Sequence, residues 1–201
     1  MLEKRLYSLT AASTPSKFVW IRVPKTGTRT ILALLREQIA FFDIEQGFKK
    51  PMPHLRYHDH FKFTFVRNPY ARLISGWKDK VVLGGSGGGI HKPELLERFQ
   101  DFDVFVDWLV EHDPADLNPH FRPQSLLVPD EVDFVGRTET LNQDLKLVLK
   151  HIGLPVDLSI PHHNKSGPAG FSIADVAGET LEKINLLLEP DFKRFGYAMY
   201  Q

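Results

Sequence analysis

Twice in this sequence a short apolar run passes through a polar turn straight into an amphipathic stretch, and that repetition restricts the fold more than any other feature. Phe18-Val-Trp-Ile-Arg-Val23 leads into Pro24-Lys-Thr-Gly-Thr-Arg-Thr30, after which Ile31, Leu32, Leu35, Ile39 and Phe42 recur at helical spacing. Phe61-Lys-Phe-Thr-Phe-Val66 alternates its Phe residues, and Asn68-Pro69 then offers an N-cap followed by proline at the first helical position. In the helix that follows, Leu73, Trp77 and Val81 make the buried stripe, which leaves Ser75 on another face. Val132-Asp-Phe-Val-Gly136 reads as a third buried strand. Strands alternating with helices predict an α/β fold: a central parallel sheet flanked by helices, with ligands bound at the edge where the strands end.

The rest of the chain supplies helices and one loop of biased composition. Phe102 to Val110 predicts a helix, the Pro-rich stretch 114–129 is irregular, and Leu141, Leu145, Val148 and Ile152 mark a further helix that Gly153 and Pro155 end. Thr138 or Thr140 caps that helix, with Thr140-x-x-Gln143 as a capping box. A last helix runs roughly from Ser172 to Leu188, and Trp20, Trp77 and Trp108 belong to the core. Gly84–Gly89 reads as a flexible surface loop, either a passive insertion or a lid. With 201 residues, no repeat and no linker, residues 1–201 form a single domain.

Composition narrows the function. Lys plus Arg and Asp plus Glu both number 25, so the balance favours neither nucleic acid nor an anionic membrane, and any anion site must be local. No apolar run approaches the ~20 residues of a membrane span. Zero cysteines exclude thiol chemistry and disulfides, and the N-terminus has no apolar segment of signal-peptide type. A cytoplasmic protein is expected.

Two places carry chemistry. Pro24-Lys-Thr-Gly-Thr-Arg-Thr30 sits between a strand and a helix. Its glycine turn directs backbone N–H groups and the helix N-terminus at an anion, while Lys25, Arg29 and the hydroxyls of Thr26, Thr28 and Thr30 add donors. The lysine precedes the glycine and no Gly-Lys-Ser/Thr follows, so this is no Walker A loop; on its own it is equally an ordinary polar turn with capping threonines. Arg67 closes the second strand and Ser75 lies two helical turns on, a second anion grip at the same sheet edge. Two grips suggest a nucleotide phosphorylated at two places. His58-x-His60 and His162-His163 lack a third ligand at characteristic spacing, so no metal is expected.

Pro24-Lys-Thr-Gly-Thr-Arg-Thr30 resembles the 5′-phosphosulfate loop of sulfotransferases, and Phe63-Thr-Phe-Val-Arg-Asn-Pro-Tyr-Ala-Arg-Leu-Ile-Ser-Gly-Trp77 resembles their 3′-phosphate motif. Asn118-Pro-His-Phe-Arg-Pro-Gln124, Asp133-Phe-Val-Gly-Arg-Thr-Glu-Thr-Leu141 and Asp191-Phe-Lys-Arg-Phe-Gly-Tyr197 are similar to the carbohydrate sulfotransferase branch of chondroitin, dermatan and HNK-1 type. Those relatives are membrane-anchored Golgi enzymes with lumenal cysteines, so the resemblance is to a soluble bacterial-type member. It implies a P-loop-like sulfotransferase fold and transfer of a sulfuryl group from 3′-phosphoadenosine 5′-phosphosulfate (PAPS) to a hydroxyl or amine.

In that reading Lys25 neutralises the leaving oxygen, and Thr26, Gly27, Thr28, Arg29 and Thr30 surround the 5′-phosphate. Arg67 and Ser75 take the 3′-phosphate, and Lys165 and Ser166, in Asn164-Lys-Ser-Gly167, resemble a late loop over the cofactor. His54 is the first choice for the base that takes the acceptor proton, ahead of His58, His60 and His120. Arg122, Arg137 and Glu139 are read as internal ion pairs. A nucleotide kinase and a non-catalytic nucleotide-binding module are the alternatives. The acceptor, whether saccharide or small molecule, and the oligomeric state stay open.

Overall fold

The computed structural model describes residues 10–44, 57–85, 90, 93–156 and 171–201. In chain order the elements are β1 (Thr10–Ser13), β2 (Phe18–Ile21), α1 (Thr28–Gln38), β3 (Phe61–Val66), α2 (Pro69–Trp77), α3 (Pro93–Arg98), α4 (Phe102–Val110), β4 (Phe134–Arg137), α5 (Leu141–His151) and α6 (Gly178–Phe195). A π-helical turn at Lys78–Val82 prolongs α2, and 3-10 turns occur at Gln124–Leu126, Thr138–Thr140 and Ile173–Asp175. The chain divides into two compact units: Met1–Arg67 with Leu127–Lys165, and Asn68–Leu126 with Ser166–Gln201. No helix among the described residues is long and apolar enough to cross a membrane.

The first unit holds the sheet, in the order β1-β2-β3-β4. β2 and β3 pair in parallel, as do β3 and β4, while β1 adds an antiparallel edge. Every residue of β2 is buried, as a strand covered on both faces of a parallel sheet must be. Side-chain alternation sends Phe18, Trp20, Phe63 and Phe65 to one face, where Ile31, Leu34 and Leu35 of α1 and Leu145, Val148 and Leu149 of α5 cover them. Trp20 and Phe63, in register on neighbouring strands, stack with centroids 6.1 Å apart. On the other face the Thr64 hydroxyl, inside the sheet, donates to the Ile21 carbonyl at 2.7 Å, which satisfies this buried donor.

Gly136 of β4 lies opposite Phe65, and a β-carbon there would stand 2.5 Å from Cε1 of that ring. Only glycine lets the aromatic lie across the strand. α5 begins without a capping box: the Thr140 hydroxyl donates to Asp144 at 2.7 Å, and the same carboxylate accepts the Arg137 N–H. The carboxylate one turn inside the helix has displaced Gln143 from the role its spacing suggested. Gly153, at φ 73°, ends the helix as expected, with the Leu154 N–H reaching back to Leu149 at 2.8 Å.

The second unit is helical. Asn68 accepts from the Ala71 N–H and Pro69 opens α2, as the sequence predicted. Leu73, Trp77 and Val81 are buried together with Phe99, Phe102 and Phe105, and the Trp77 indole donates to the Phe99 carbonyl at 2.7 Å. The final helix starts later and runs further than the apolar count suggested: Ser172 and Asp175 form a capping box on a separate 3-10 turn, and α6 continues through Pro190 to Phe195. Pro190 occupies an exposed position, where the carbonyl it deprives of a partner can turn to water, while Asp191, Phe192 and Phe195 carry the buried face onward. Trp20 and Trp77 are core residues; Trp108 is half-buried at its edge.

Candidate functional site

The loop between β2 and α1 is built from backbone conformations that few residues adopt. Lys25 has φ 73° and Gly27 φ 79°, both left-handed, so the chain turns sharply twice within three residues before entering the helix. The Thr26 hydroxyl closes the turn by donating to the Val23 carbonyl at 2.8 Å. Thr26 is 1% exposed, which corrects the expectation that its hydroxyl faces a ligand. Gly27 is the N-cap of α1; no side chain caps it and no acidic residue lies in the first turn. The N–H groups of Thr28, Arg29 and Thr30 therefore have neither an intrahelical partner nor a capping side chain, the arrangement that receives an anion at the positive end of a helix. Thr28 is half-buried, Arg29 exposed and Thr30 buried.

Two neighbours fix the loop from the sheet side. Arg67, immediately after β3, donates from Nη1 to the Lys25 carbonyl at 3.4 Å. Leu141, the first residue of α5, packs so closely beneath Gly27 that a β-carbon there would lie 3.2 Å from its Cδ2. The Thr138 hydroxyl donates to the Val66 carbonyl at 3.0 Å and ties the end of β4 to the end of β3 just before Arg67. Lys25, the uncapped turn and Arg67 are thus gathered at the carboxyl ends of parallel strands, as expected for a ligand edge. A phosphate-bearing nucleotide fits this cradle, since the loop supplies two cations and a helix start that no side chain caps, with no carboxylate in its first turn.

The histidines before β3 lie elsewhere. His58 is exposed and His60 is 5% exposed, with Nδ1 of His60 2.9 Å from the Asp59 carboxylate. That contact is the chief reason why the Asp59 pKa falls below the ordinary carboxylate value. The pair stands at the amino end of β3 and Arg67 at its carboxyl end, about 20 Å away along a six-residue strand. Neither can act beside Lys25. His54, Lys165 and Ser166 lie outside the described residues, as does most of Gly84–Gly89.

In the second unit Ser75 is half-buried on α2. The blocks shared with the carbohydrate branch mostly bind one another there. Arg72, 2% exposed, donates to the Arg122 carbonyl at 2.9 Å and the Pro119 carbonyl at 2.7 Å. A β-carbon at Gly76 would stand 2.9 Å from the His120 carbonyl. Asp191, fully buried, accepts the N–H groups of Gln124 and Ser125 at 2.8 and 2.7 Å, and Arg194 donates to the Ser125 carbonyl at 2.8 Å. The Arg122 Nε donates to the Leu117 carbonyl at 3.1 Å. Burial pushes this guanidinium below its ordinary pKa, against the pull of Asp116.

His120 contacts the Asn118 amide oxygen through Nδ1 at 2.7 Å, and its backbone N–H donates to the same atom at 3.0 Å. An amide oxygen only accepts, so Nδ1 is the donor in this contact. Sequence reasoning missed Arg72 and Asp191. The one signal for Arg72 was Gly76 four residues on, on the same helix face with no side chain to keep a crossing segment away.

Residues 10–198 match the profile of the family described as the sulfotransferase family. Carbohydrate sulfotransferase 14 of Danio rerio is 25% identical over 221 residues, covering 91% of this chain and 60% of the relative. Carbohydrate sulfotransferase 10 of Xenopus laevis is 27% identical over 175 residues, covering 72% and 49%. Carbohydrate sulfotransferase 9 of Homo sapiens is 26% identical over 224 residues, covering 92% and 51%. This chain spans about half to three-fifths of the length of these curated relatives. No solved structure matches it. Because the match runs from β1 past the Asp191–Tyr197 block and spans the Lys25–Gly27 turn and Arg67 on the way, the chain belongs to the sulfotransferase family.

Proposed function

We propose that this protein transfers a sulfuryl group from PAPS to a hydroxyl or amine of a carbohydrate or glycoconjugate. The observation that carries the reading is the pairing of Lys25 with Arg67 at the end of β3, beside a helix start that no side chain caps. Sulfuryl transfer needs the nucleophile and leaving oxygen held in line while negative charge builds on the departing phosphate, and a fixed cation beside an anion cradle meets that need. Lys25 neutralises the leaving oxygen, and the turn of Gly27, Thr28, Arg29 and Thr30, with the Thr26 backbone, holds the 5′-phosphate. Arg67 and Ser75 take the 3′-phosphate; the resemblance supports both, and it alone supports Lys165 and Ser166 as further contacts. His54 is our assignment for the base, with His120 as the alternative because the Asn118 amide oxygen orients its ring through Nδ1.

A saccharide acceptor is supported by the names of the relatives. The kinase alternative has no support in the family match. The binding-module alternative differs from the enzyme in one measurable respect. Labelled PAPS incubated with the protein and a panel of saccharide, phenol and amine acceptors should yield a sulfated product. His54→Ala and His120→Ala, assayed in parallel, should identify the base by a loss of ~10²–10⁴-fold in turnover at unchanged nucleotide affinity. Tight binding of 3′,5′-ADP without product from any acceptor would leave the binding module standing instead.

A further inference from the structure

Among the described residues only Lys17 and Lys25 combine a side chain with positive φ. Lys17 ends the tight Thr14–Lys17 turn that joins β1 to antiparallel β2, where hairpin connections commonly require that conformation. Lys25 has no hairpin to excuse it. Glycine would adopt φ 73° without strain, but glycine carries no ammonium, so a lysine stays in this conformation only where its surroundings dictate it. The Lys25 peptide is held on its amino side by the Thr26–Val23 turn and on its own carbonyl by Arg67 at 3.4 Å.

We propose that Arg67 is a positioning residue for Lys25 as well as a ligand of the 3′-phosphate. A guanidinium has five N–H donors in a rigid fork, enough to hold the Lys25 carbonyl and a phosphate together. One side chain then fixes the far end of the nucleotide and the backbone of the residue that meets the reacting end. This rests on the sulfotransferase reading and adds to it an effect that a simple 3′-phosphate contact does not have: Arg67 matters even to a nucleotide that lacks the 3′-phosphate.

The test is a binding cycle by calorimetry, with 3′,5′-ADP and 5′-AMP as probes, on wild type, Arg67→Ala, Lys25→Gly and the double variant. Arg67→Ala should weaken 5′-AMP by about tenfold, the usual worth of a charge-assisted hydrogen bond. In the Lys25→Gly background, where the turn needs no holding, the same substitution should cost 5′-AMP less than about twofold. Unchanged 5′-AMP affinity in Arg67→Ala overturns the proposal. So does an equal loss in both backgrounds, because Arg67 would then act through its charge alone. If Arg67→Ala does not fold, Arg67→Lys enters the same cycle with the same two outcomes. A wild type that binds neither nucleotide overturns the sulfotransferase reading and this inference with it, whereas additive losses overturn only this inference.

Discussion

The Lys25–Gly27 turn and the Asn118–Gln124 segment both belong to blocks that mark the family, yet they use their polar groups in opposite ways. In the turn, a backbone of positive φ is held by a neighbouring guanidinium just before a helix start that no side chain caps. Around Asn118–Gln124, Arg72, Asp191 and Arg194 spend their hydrogen bonds on backbone groups of the same unit. The difference teaches that a shared motif can record chemistry in one place and architecture in another. Arg72 and Asp191 are at most 2% exposed, whereas Lys25 and Arg67 are half-exposed.

The strongest way to break this contrast is Lys25→Ala. Turnover should fall by ~10²–10³-fold, as when one preorganised charge stabiliser is removed, with the melting temperature unchanged. Single-turnover sulfuryl transfer beside a thermal melt decides it, and a melting temperature that drops with the rate would make Lys25 an architectural residue after all. The converse substitution is Asp191→Ala. It strands the buried N–H groups of Gln124 and Ser125 and should cost about 3 kcal/mol of stability, while the 5′-phosphate affinity of the folded protein stays at the wild-type level. Denaturant titration and nucleotide calorimetry on one preparation would expose any mixing of the two roles.

Gly136→Ala sharpens the contrast within the sheet. The new β-carbon meets the Phe65 ring, and an overpacked strand should lose roughly 1–3 kcal/mol in a denaturant titration. No loss would mean that Phe65 swings aside freely. The smallest effect concerns Asp175, whose carboxyl pKa lies below its ordinary value because it accepts the Ser172 N–H and hydroxyl. A depressed folded pKa gives stability that is complete above the unfolded carboxylate value and is lost as pH falls through the folded one. The difference in melting temperature between wild type and Asp175→Asn should therefore shrink on acidification below about pH 4. A difference constant with pH would assign the cap to hydrogen bonding indifferent to charge.

These contrasts also explain what the sequence disclosed. β2, β3, α1, α2, α4 and α5 were legible because each buries an apolar run or stripe of its own, and Asn68-Pro69 announced a helix start that local chemistry alone enforces. β4 pairs with β3 where a strand was expected, but it is not the buried strand its apolar residues suggested: only Gly136 is buried and Val135 is exposed, because β4 stands at the open edge of the sheet. β1 was not legible. Thr10-Ala-Ala-Ser13 has no aromatic or large branched residue and becomes a strand only because β2 offers it a free edge. Thr26 and Thr140 were misread for a related reason: a hydroxyl chooses among acceptors, and Val23 and Asp144 are brought within reach by the fold. The loop's anion character was readable from its composition, whereas the link from Arg67 to the Lys25 carbonyl joins residues 42 apart and has no local signature.

The route of the chain through its two units has a consequence for how the molecule is made. Each unit is assembled from two separated segments, with junctions after Arg67, Leu126 and Lys165. β3 waits for β4, which begins some seventy residues later, and Gln124 waits for Asp191, 67 positions on. Such pairings must close long loops before any contact repays the lost chain entropy, so they form slowly. On a ribosome the first core waits for the segment that ends at Lys165, and the second waits for α6. Until those segments emerge, the nascent chain carries open strand edges and bare apolar faces, the features that chaperones shield.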